Sequence, residues 1–169
     1  MKKSMLLIGM LFLFVFNINA QAPSNPYFNY KGKLIIIGGG SIPDSLFEFF
    51  AAHCGGKDQP VVYIPTATSD EKYIQEGGHL VKFSSRGFTN LSTIHTRDKI
   101  KADAPENIAL MRKAKGIFFG GGDQDLIAAA YGNTQLYKEM LALLDRGGVI
   151  MGTSAGATIM GALLVGGDA

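Results

Sequence analysis

Ser154 is the residue of this sequence whose neighbours point most directly to chemistry. It lies in Gly152-Thr-Ser-Ala-Gly156, which fits the pattern G-x-S-x-G. The apolar run 149–151 precedes it and an apolar helical pattern follows, which is the strand, turn and helix setting of a nucleophile elbow. Small neighbours permit the strained turn that exposes the hydroxyl, so Ser154 is predicted to be a nucleophile. The alternative is that Gly152 and Gly156 only allow a strand and a helix to pack closely.

Two glycine runs, Gly38-Gly-Gly40 and Gly120-Gly-Gly122, each follow another short apolar run. A nucleophilic serine needs backbone N–H groups that stabilise the oxyanion formed during attack. The N–H of Ala155, the residue after the nucleophile, is the expected first donor. The second is expected from the run that ends at Gly122, because a backbone without side chains can approach a substrate closely. The run that begins at Gly38 is predicted to form a tight turn that helps to shape the cleft.

A serine also needs a base that removes its proton, and this base is usually a histidine. The sequence contains His53, His79 and His95, all upstream of Ser154. His53 falls at the C-terminal end of a predicted helix, and His79 falls on a weak helix where we expect it to be solvated. His95 ends a predicted strand at the same edge as Ser154 and remains a candidate base.

The first glycine run does not predict a nucleotide site. Its sixth position is Pro43 rather than Gly or Ala, and no P-loop lysine follows either run. Asp123 and Asp125 have no His or Cys at ligand spacing, so we expect no metal there. No organic cofactor is expected either. Both acids are better explained as residues favoured at a helix N-terminus.

The first twenty residues predict a secretory signal peptide. Lys2 and Lys3 begin it, an apolar run covers 5–16, and Ala20 stands at the expected cleavage position. The run is shorter than the ~20 residues that span a bilayer. We therefore expect a secreted or periplasmic protein with no stable membrane span after cleavage, and a retained N-terminal anchor is the alternative. Residues 21–33 are predicted to be a linker.

Charge and cysteine content restrict the possible partners. Without Lys2 and Lys3 the basic residues equal the acidic ones in number, and no basic cluster is present, so nucleic acid is not an expected partner. The single cysteine, Cys54, excludes an internal disulfide framework. Its apolar setting predicts a buried and inert thiol.

Short apolar runs alternate with helical patterns along the rest of the chain. This order predicts an α/β fold with a mostly parallel sheet covered on both faces, and each strand is expected to be buried on both faces. Ser41 is expected to cap the first helix, and Asp103-Ala-Pro-Glu106 has the form of a capping box. In parallel sheets the ligand site lies at the carboxyl ends of the strands, where Ser154 and both glycine runs fall.

Two motifs together resemble one family. Gly116-Ile-Phe-Phe-Gly-Gly-Gly-Asp-Gln124, followed by Gly148-Val-Ile-Met-Gly-Thr-Ser-Ala-Gly-Ala157, is similar to cyanophycinase and its relatives, a serine peptidase family that also contains dipeptidase E. The resemblance implies a three-layer α/β/α fold related to class I glutamine amidotransferases. It implies Ser154 as the nucleophile, with Ala155 and Gly122 as oxyanion donors. Gln124 matches a substrate-contacting Gln of the cyanophycinase-like motif, whereas dipeptidase E-like members carry Asn-Thr after the glycines.

The function implied by the resemblance is that of a secreted serine peptidase that hydrolyses aspartyl peptide bonds and releases β-Asp-Arg dipeptides from cyanophycin. Members of the family are usually longer, and their catalytic His follows the nucleophile by some tens of residues. We therefore expect residues 34–169 to be an incomplete peptidase domain without its C-terminal part, inactive without its His. The alternatives are an α-aspartyl dipeptidase-like exopeptidase, or a non-catalytic binding protein if the chain truly ends at residue 169. A homodimer is left open.

Overall fold

The computed structural model describes residues 30–161. The predicted signal peptide, most of the predicted linker 21–33 and residues 162–169 of the predicted domain lie outside this range. Within it the strands are β1 (Lys33–Ile37), β2 (Val61–Ile64), β3 (Leu91–Thr93), β4 (Gly116–Phe119) and β5 (Val149–Thr153). The helices are α1 (Asp44–Cys54), α2 (Glu71–Gln75), α3 (Leu80–Ser84), α4 (Lys99–Ala102), α5 (Pro105–Lys113), α6 (Gln124–Tyr131), α7 (Gln135–Asp145) and α8 (Ala155–Thr158).

The five strands form one parallel sheet in the order β1-β5-β4-β2-β3. Alternate residues of β2 enter two separate apolar cores. Val61 and Tyr63 pack with α1 and α3 on one face, whereas Val62 and Ile64 pack with the helices α4 to α8 on the other. The predicted three-layer α/β/α arrangement is therefore confirmed, and the carboxyl ends of all five strands meet at one edge.

The strands differ in burial, which corrects one prediction. Every residue of β2, β4 and β5 is buried. In β1, by contrast, Leu34 is 46% exposed and Ile36 is 65% exposed. The reason is position, because β1 is an outer strand of the described sheet and pairs only with β5 there. An apolar run alone does not distinguish an inner strand from an outer one.

The segment expected to form one helix over about 70–86 is two short helices, α2 and α3. Gly77 and Gly78 separate them, with φ angles of 92° and 49° that place both in the left-handed region. A Cβ atom at Gly78 would lie 3.0 Å from the Tyr63 hydroxyl. The break therefore brings the chain close to the end of β2. No helix in the described range is long and apolar enough to cross a membrane.

Both capping predictions are wrong, and Asp103 shows why. The N-cap of α1 is Pro43 and not Ser41, and the N-cap of α5 is Ala104, neither with a side-chain hydrogen bond. Asp103 instead accepts hydrogen bonds from the Gln135 N–H at 3.0 Å and the Leu136 N–H at 2.9 Å. Its carboxylate thus stabilises the start of α7, which is distant in sequence.

We expect Asp103→Ala to lower the free energy of unfolding by about 1 kcal/mol, because two N–H groups of α7 lose their acceptor. Urea unfolding followed by circular dichroism measures this change. Glu106→Ala is the matched control, since Glu106 completes the predicted capping box but its side chain makes no hydrogen bond to any described residue. Its effect should stay within about 0.5 kcal/mol. Equal losses in the two variants would contradict the assignment.

Candidate active site

Ser154 connects the end of β5 to the start of α8 in a strained conformation. Its φ and ψ are 52° and −120°, a region that residues with a side chain rarely occupy. Its N–H donates to the Ile37 carbonyl at 2.9 Å, and its own carbonyl accepts from the Ala157 N–H at 2.8 Å. Backbone contacts on both sides hold the strained turn in place, and Ser154 remains exposed.

Gly152 and Gly156 are required by close packing. A Cβ at Gly152 would run into the carbonyl of Gly156, and a Cβ at Gly156 would run into the carbonyl of Phe119. The structural interpretation of these glycines is therefore correct. It does not compete with the elbow, because the same close packing forms the turn that presents Ser154.

The two glycine runs both approach the side chain of Ser154. A Cβ at Gly121 would lie 3.2 Å from the Cβ of Ser154, and a Cβ at Gly39 would lie 3.9 Å from it. Gly38-Gly-Gly40 therefore borders the site. This position agrees with its predicted role in shaping the cleft. Gly121 was not predicted to be a site residue. It is nevertheless the middle residue of Gly120-Gly-Gly122, the run that was predicted to supply an oxyanion donor.

Several N–H groups near Ser154 are available to an oxyanion. The N–H groups of Gly121 and Gly122 have no hydrogen-bond partner within the described range. Ala155 is the first residue of α8, so its N–H has no acceptor inside that helix. Gly122, at a φ of 136°, lies against the backbone of Ala67 and Thr68, while Gly121 lies against Ser154.

Gln124 begins α6 two residues after the glycine loop and is half-buried. Asp123 caps this helix, since its carboxylate accepts from the Asp125 N–H at 2.8 Å. The two acids are thus helix N-terminal residues, as predicted. The described part of the chain contains no group of three or more His, Cys, Asp or Glu residues arranged to hold a metal ion.

His95 is too distant to serve Ser154. It follows β3, which is separated from β5 by β4 and β2, a distance of ~14 Å across three strand spacings. Its Nδ1 lies 3.2 Å from the Thr66 hydroxyl, and its Nε2 lies 3.5 Å from a carboxylate oxygen of Glu71. The tertiary structure therefore removes His95 as the candidate base.

His53 lies at the opposite edge of the sheet. Its Nδ1 donates to the Phe49 carbonyl at 2.7 Å in the last turn of α1, as the predicted position at a helix C-terminus requires. The neighbouring Cys54 is buried, and this burial raises the pKa of its thiol to about 12. The prediction of a buried thiol is confirmed.

His79 is half-buried and held by other side chains, which corrects the prediction that it is solvated. Its Nδ1 lies 2.8 Å from the Tyr73 hydroxyl and 3.3 Å from that of Tyr63, and its ring packs on Phe118. Burial, together with repulsion from Lys82, lowers the pKa of His79 to about 4. A Cβ at Gly120 would lie 3.3 Å from the Tyr63 hydroxyl. The Tyr63 ring, which contacts His79, therefore also packs against the glycine loop.

Comparison with known proteins places the chain in a protein family. Residues 34–167 match the family model described as Peptidase family S51. A cyanophycinase from Geminocystis herdmanii is 31% identical over 117 residues, which cover 68% of this chain and 43% of that protein. A cyanophycinase from Synechococcus elongatus is 27% identical over 140 residues, covering 80% of this chain and 43% of that protein. The chain thus spans less than half the length of these relatives.

Two solved structures share the fold. A peptidase from an acI-B1 Actinobacterium superimposes with a TM-score of 0.63 at 26% identity, covering 75% of this chain and 55% of that one. A Listeria monocytogenes protein assigned as peptidase E gives a TM-score of 0.51 at 25% identity, covering 68% of this chain and 55% of that one.

The half-buried His79 predicts a loss of stability in mild acid. Its pKa is about 4 in the folded protein and 6.5 for the ordinary side chain, so between these values the unfolded state binds the additional proton. Stability should therefore fall as the pH decreases from 6.5 toward 4. His79→Gln cannot titrate, and its urea midpoint should depend less on pH over this range. Carboxylates common to both proteins cancel in the comparison, and parallel curves would contradict the prediction.

Proposed function

We propose that this chain, which belongs to peptidase family S51, carries the nucleophile of a serine peptidase at Ser154. The observation that supports this most strongly is the backbone of Ser154, held at a positive φ between β5 and α8. Strain of this kind persists where the surrounding structure maintains it, and it concentrates at functional sites. The side chain of Ser154 is exposed and lies close to both Gly39 and Gly121.

In the proposed reaction the Ser154 Oγ attacks the carbonyl carbon of a peptide bond and gives its proton to a base. The carbonyl oxygen becomes an oxyanion, which accepts hydrogen bonds from the Ala155 N–H and from the glycine loop that includes Gly122. The tetrahedral intermediate collapses, the C–N bond breaks, and the departing amine takes the proton from the base. Water then hydrolyses the acyl-enzyme by the same steps in the second half of the reaction.

The base is proposed to come from outside the 169 residues of this chain. All three histidines of the sequence have other surroundings, since His53 lies at the far edge, His79 contacts two tyrosines and His95 contacts Thr66 and Glu71. The chain covers only 43% of the Geminocystis herdmanii cyanophycinase, so the relatives have ample additional sequence for such a residue.

The proposed substrates are aspartyl peptides, with cyanophycin cleaved to β-Asp-Arg dipeptides as the first candidate. The names of the curated relatives support this, and so does Gln124, which completes the cyanophycinase-like Gly-Gly-Asp-Gln motif at the start of α6. An exopeptidase for α-aspartyl dipeptides is the second candidate, supported by the structural similarity to the protein assigned as peptidase E.

Secretion is also proposed, on the basic start, apolar run and small cleavage residue of segment 1–20. This segment lies outside the described residues. The exported protein should begin at Gln21, which N-terminal sequencing or intact-mass measurement determines. A mature protein that retains residues 1–20 would contradict cleavage and favour an N-terminal anchor.

A fluorophosphonate probe, which reacts with activated serines, tests the nucleophile. We expect the 169-residue chain to be labelled slowly at Ser154, because no histidine of the chain reaches its hydroxyl. Added imidazole, a soluble base of the missing type, should accelerate the labelling. Peptide mass mapping locates the modified residue, and time courses with and without imidazole give the two rates.

Ser154→Gly is the matched control, since glycine accepts the positive φ and lacks only the hydroxymethyl group. Its labelling should be absent in both conditions. Rapid labelling of Ser154 without imidazole would contradict a base from outside the chain. Failure of imidazole to produce any labelling would contradict the nucleophile and favour a non-catalytic binding protein.

A further inference from the structure

Beyond the glycine loop, two nitrogen-bearing side chains face one loosely held carboxylate. The Glu71 Oε1 lies 3.7 Å from the Arg97 Nη2 and 3.5 Å from the His95 Nε2. Both separations exceed the ~3.2 Å limit of a well-formed N–H···O hydrogen bond. The Glu71 side chain is also 57% exposed. The carboxylate is therefore near both partners but bound tightly by neither.

The two partners are better fixed than the carboxylate between them. The Arg97 Nη2 donates to the Thr68 carbonyl at 2.9 Å. The His95 Nδ1 lies 3.2 Å from the hydroxyl of Thr66, which is buried and lies 2.6 Å from the Tyr131 hydroxyl. These contacts orient the guanidinium and the imidazole in advance of any ligand.

This cluster is directly connected to the crevice. Thr68 follows Ala67, whose carbonyl accepts from the Asp123 N–H at 2.8 Å, and Gly122 lies against the same backbone. The loop that carries Thr68 follows β2, which is two strand positions from β5. Arg97 and His95 follow β3, one position further from β5, and three spacings amount to ~14 Å. Arg97 thus stands on the same sheet edge as Ser154, beyond the proposed oxyanion donors.

Arg97 has unused capacity for an anion. Its guanidinium carries five N–H donors in a planar fork that matches a carboxylate, and a single hydrogen bond, to the Thr68 carbonyl, accounts for one of them. Its side chain is 43% exposed. Exposed ion pairs contribute little to stability, so displacement of Glu71 costs little, whereas a bidentate carboxylate on arginine is bound more strongly.

We propose that Arg97 and His95 form a subsite for a carboxylate of the peptide substrate, and that Glu71 occupies this subsite until the substrate displaces it. An extended peptide advances ~3.3 Å per residue, so ~14 Å corresponds to about four residues. The subsite would therefore bind an acidic residue about four positions from the bond that is cut. This inference rests on the proposed function, because it places the scissile bond at Ser154.

Peptide binding tests the subsite without requiring hydrolysis. The full chain carrying Ser154→Gly is titrated with acetyl-Asp-(Ala)₄-Asp-amide and with its twin in which Asn replaces both Asp residues. The acidic residue at each end allows for either direction of binding. We expect the Asp peptide to bind about tenfold more tightly, as one charge-assisted hydrogen-bonded pair implies. Calorimetry gives the two affinities, and amide resonances of Gly121 and Gly122 report where the peptide lies.

Three substitutions added to this background identify the residues responsible. Arg97→Gln should reduce the preference for the Asp peptide to about twofold or less, because the fork is lost. Glu71→Gln should increase the affinity for the Asp peptide, since it removes the carboxylate that competes for Arg97. Lys72→Gln is the matched control for Arg97→Gln, because it also removes one positive charge. Lys72 is exposed, is next to Glu71 in sequence and forms its ion pair with Glu76. This control should leave the preference unchanged.

Retention of the preference in Arg97→Gln would overturn the proposal, and so would a decrease of affinity in Glu71→Gln. Urea unfolding shows whether Arg97→Gln folds. If it does not, the direction of the affinity change in Glu71→Gln alone decides whether the proposal holds. The result is separable from the fluorophosphonate test, because binding is measured without the Ser154 hydroxyl. A preference that survives when labelling fails supports the subsite and rejects only the nucleophile.

Discussion

The positive φ of Ser154 is the constraint on which the proposed site depends. A residue with a side chain is held in this region only at a cost of about 1–3 kcal/mol, so its surroundings must exclude the relaxed alternatives. They do so from two directions. The Ile37 carbonyl accepts from the Ser154 N–H, which attaches the turn to β1, and the absence of side chains at Gly152 and Gly156 lets α8 start close to the sheet.

The parallel sheet places the rest of the site in a row beside this turn. The loops after β1 and β4 lie on either side of Ser154, the loop after β2 supports Gly122, and the segment after β3 contributes Arg97 beyond it. Each step along the row is one strand spacing of ~4.8 Å. The match to the model of peptidase family S51 covers residues 34–167 and so includes all five strands, except the first residue of β1, and the loops between them.

Local signals were sufficient for much of the fold. Short apolar runs ended by glycine predicted the strands, because a buried strand and the turn after it are set by neighbouring residues. The same reasoning failed where a residue's partner is distant in sequence. Asp103 fits a capping box on its own helix, yet its carboxylate binds N–H groups of α7. His79 lies in a polar segment, yet the break at Gly77 and Gly78 brings its ring between two tyrosines.

The sequence by itself determined that Ser154 sits in an elbow and that glycine-rich loops follow two strands, because steric limits on the backbone act over a few residues. Only the tertiary structure decided which of these parts meet. Strand order places Gly39 and Gly121 beside Ser154 and puts His95 three strands away, and no spacing along the chain encodes that order. The contact of Glu71 with Arg97 arises in the same way, because contacts between strand ends depend on how the whole sheet is assembled.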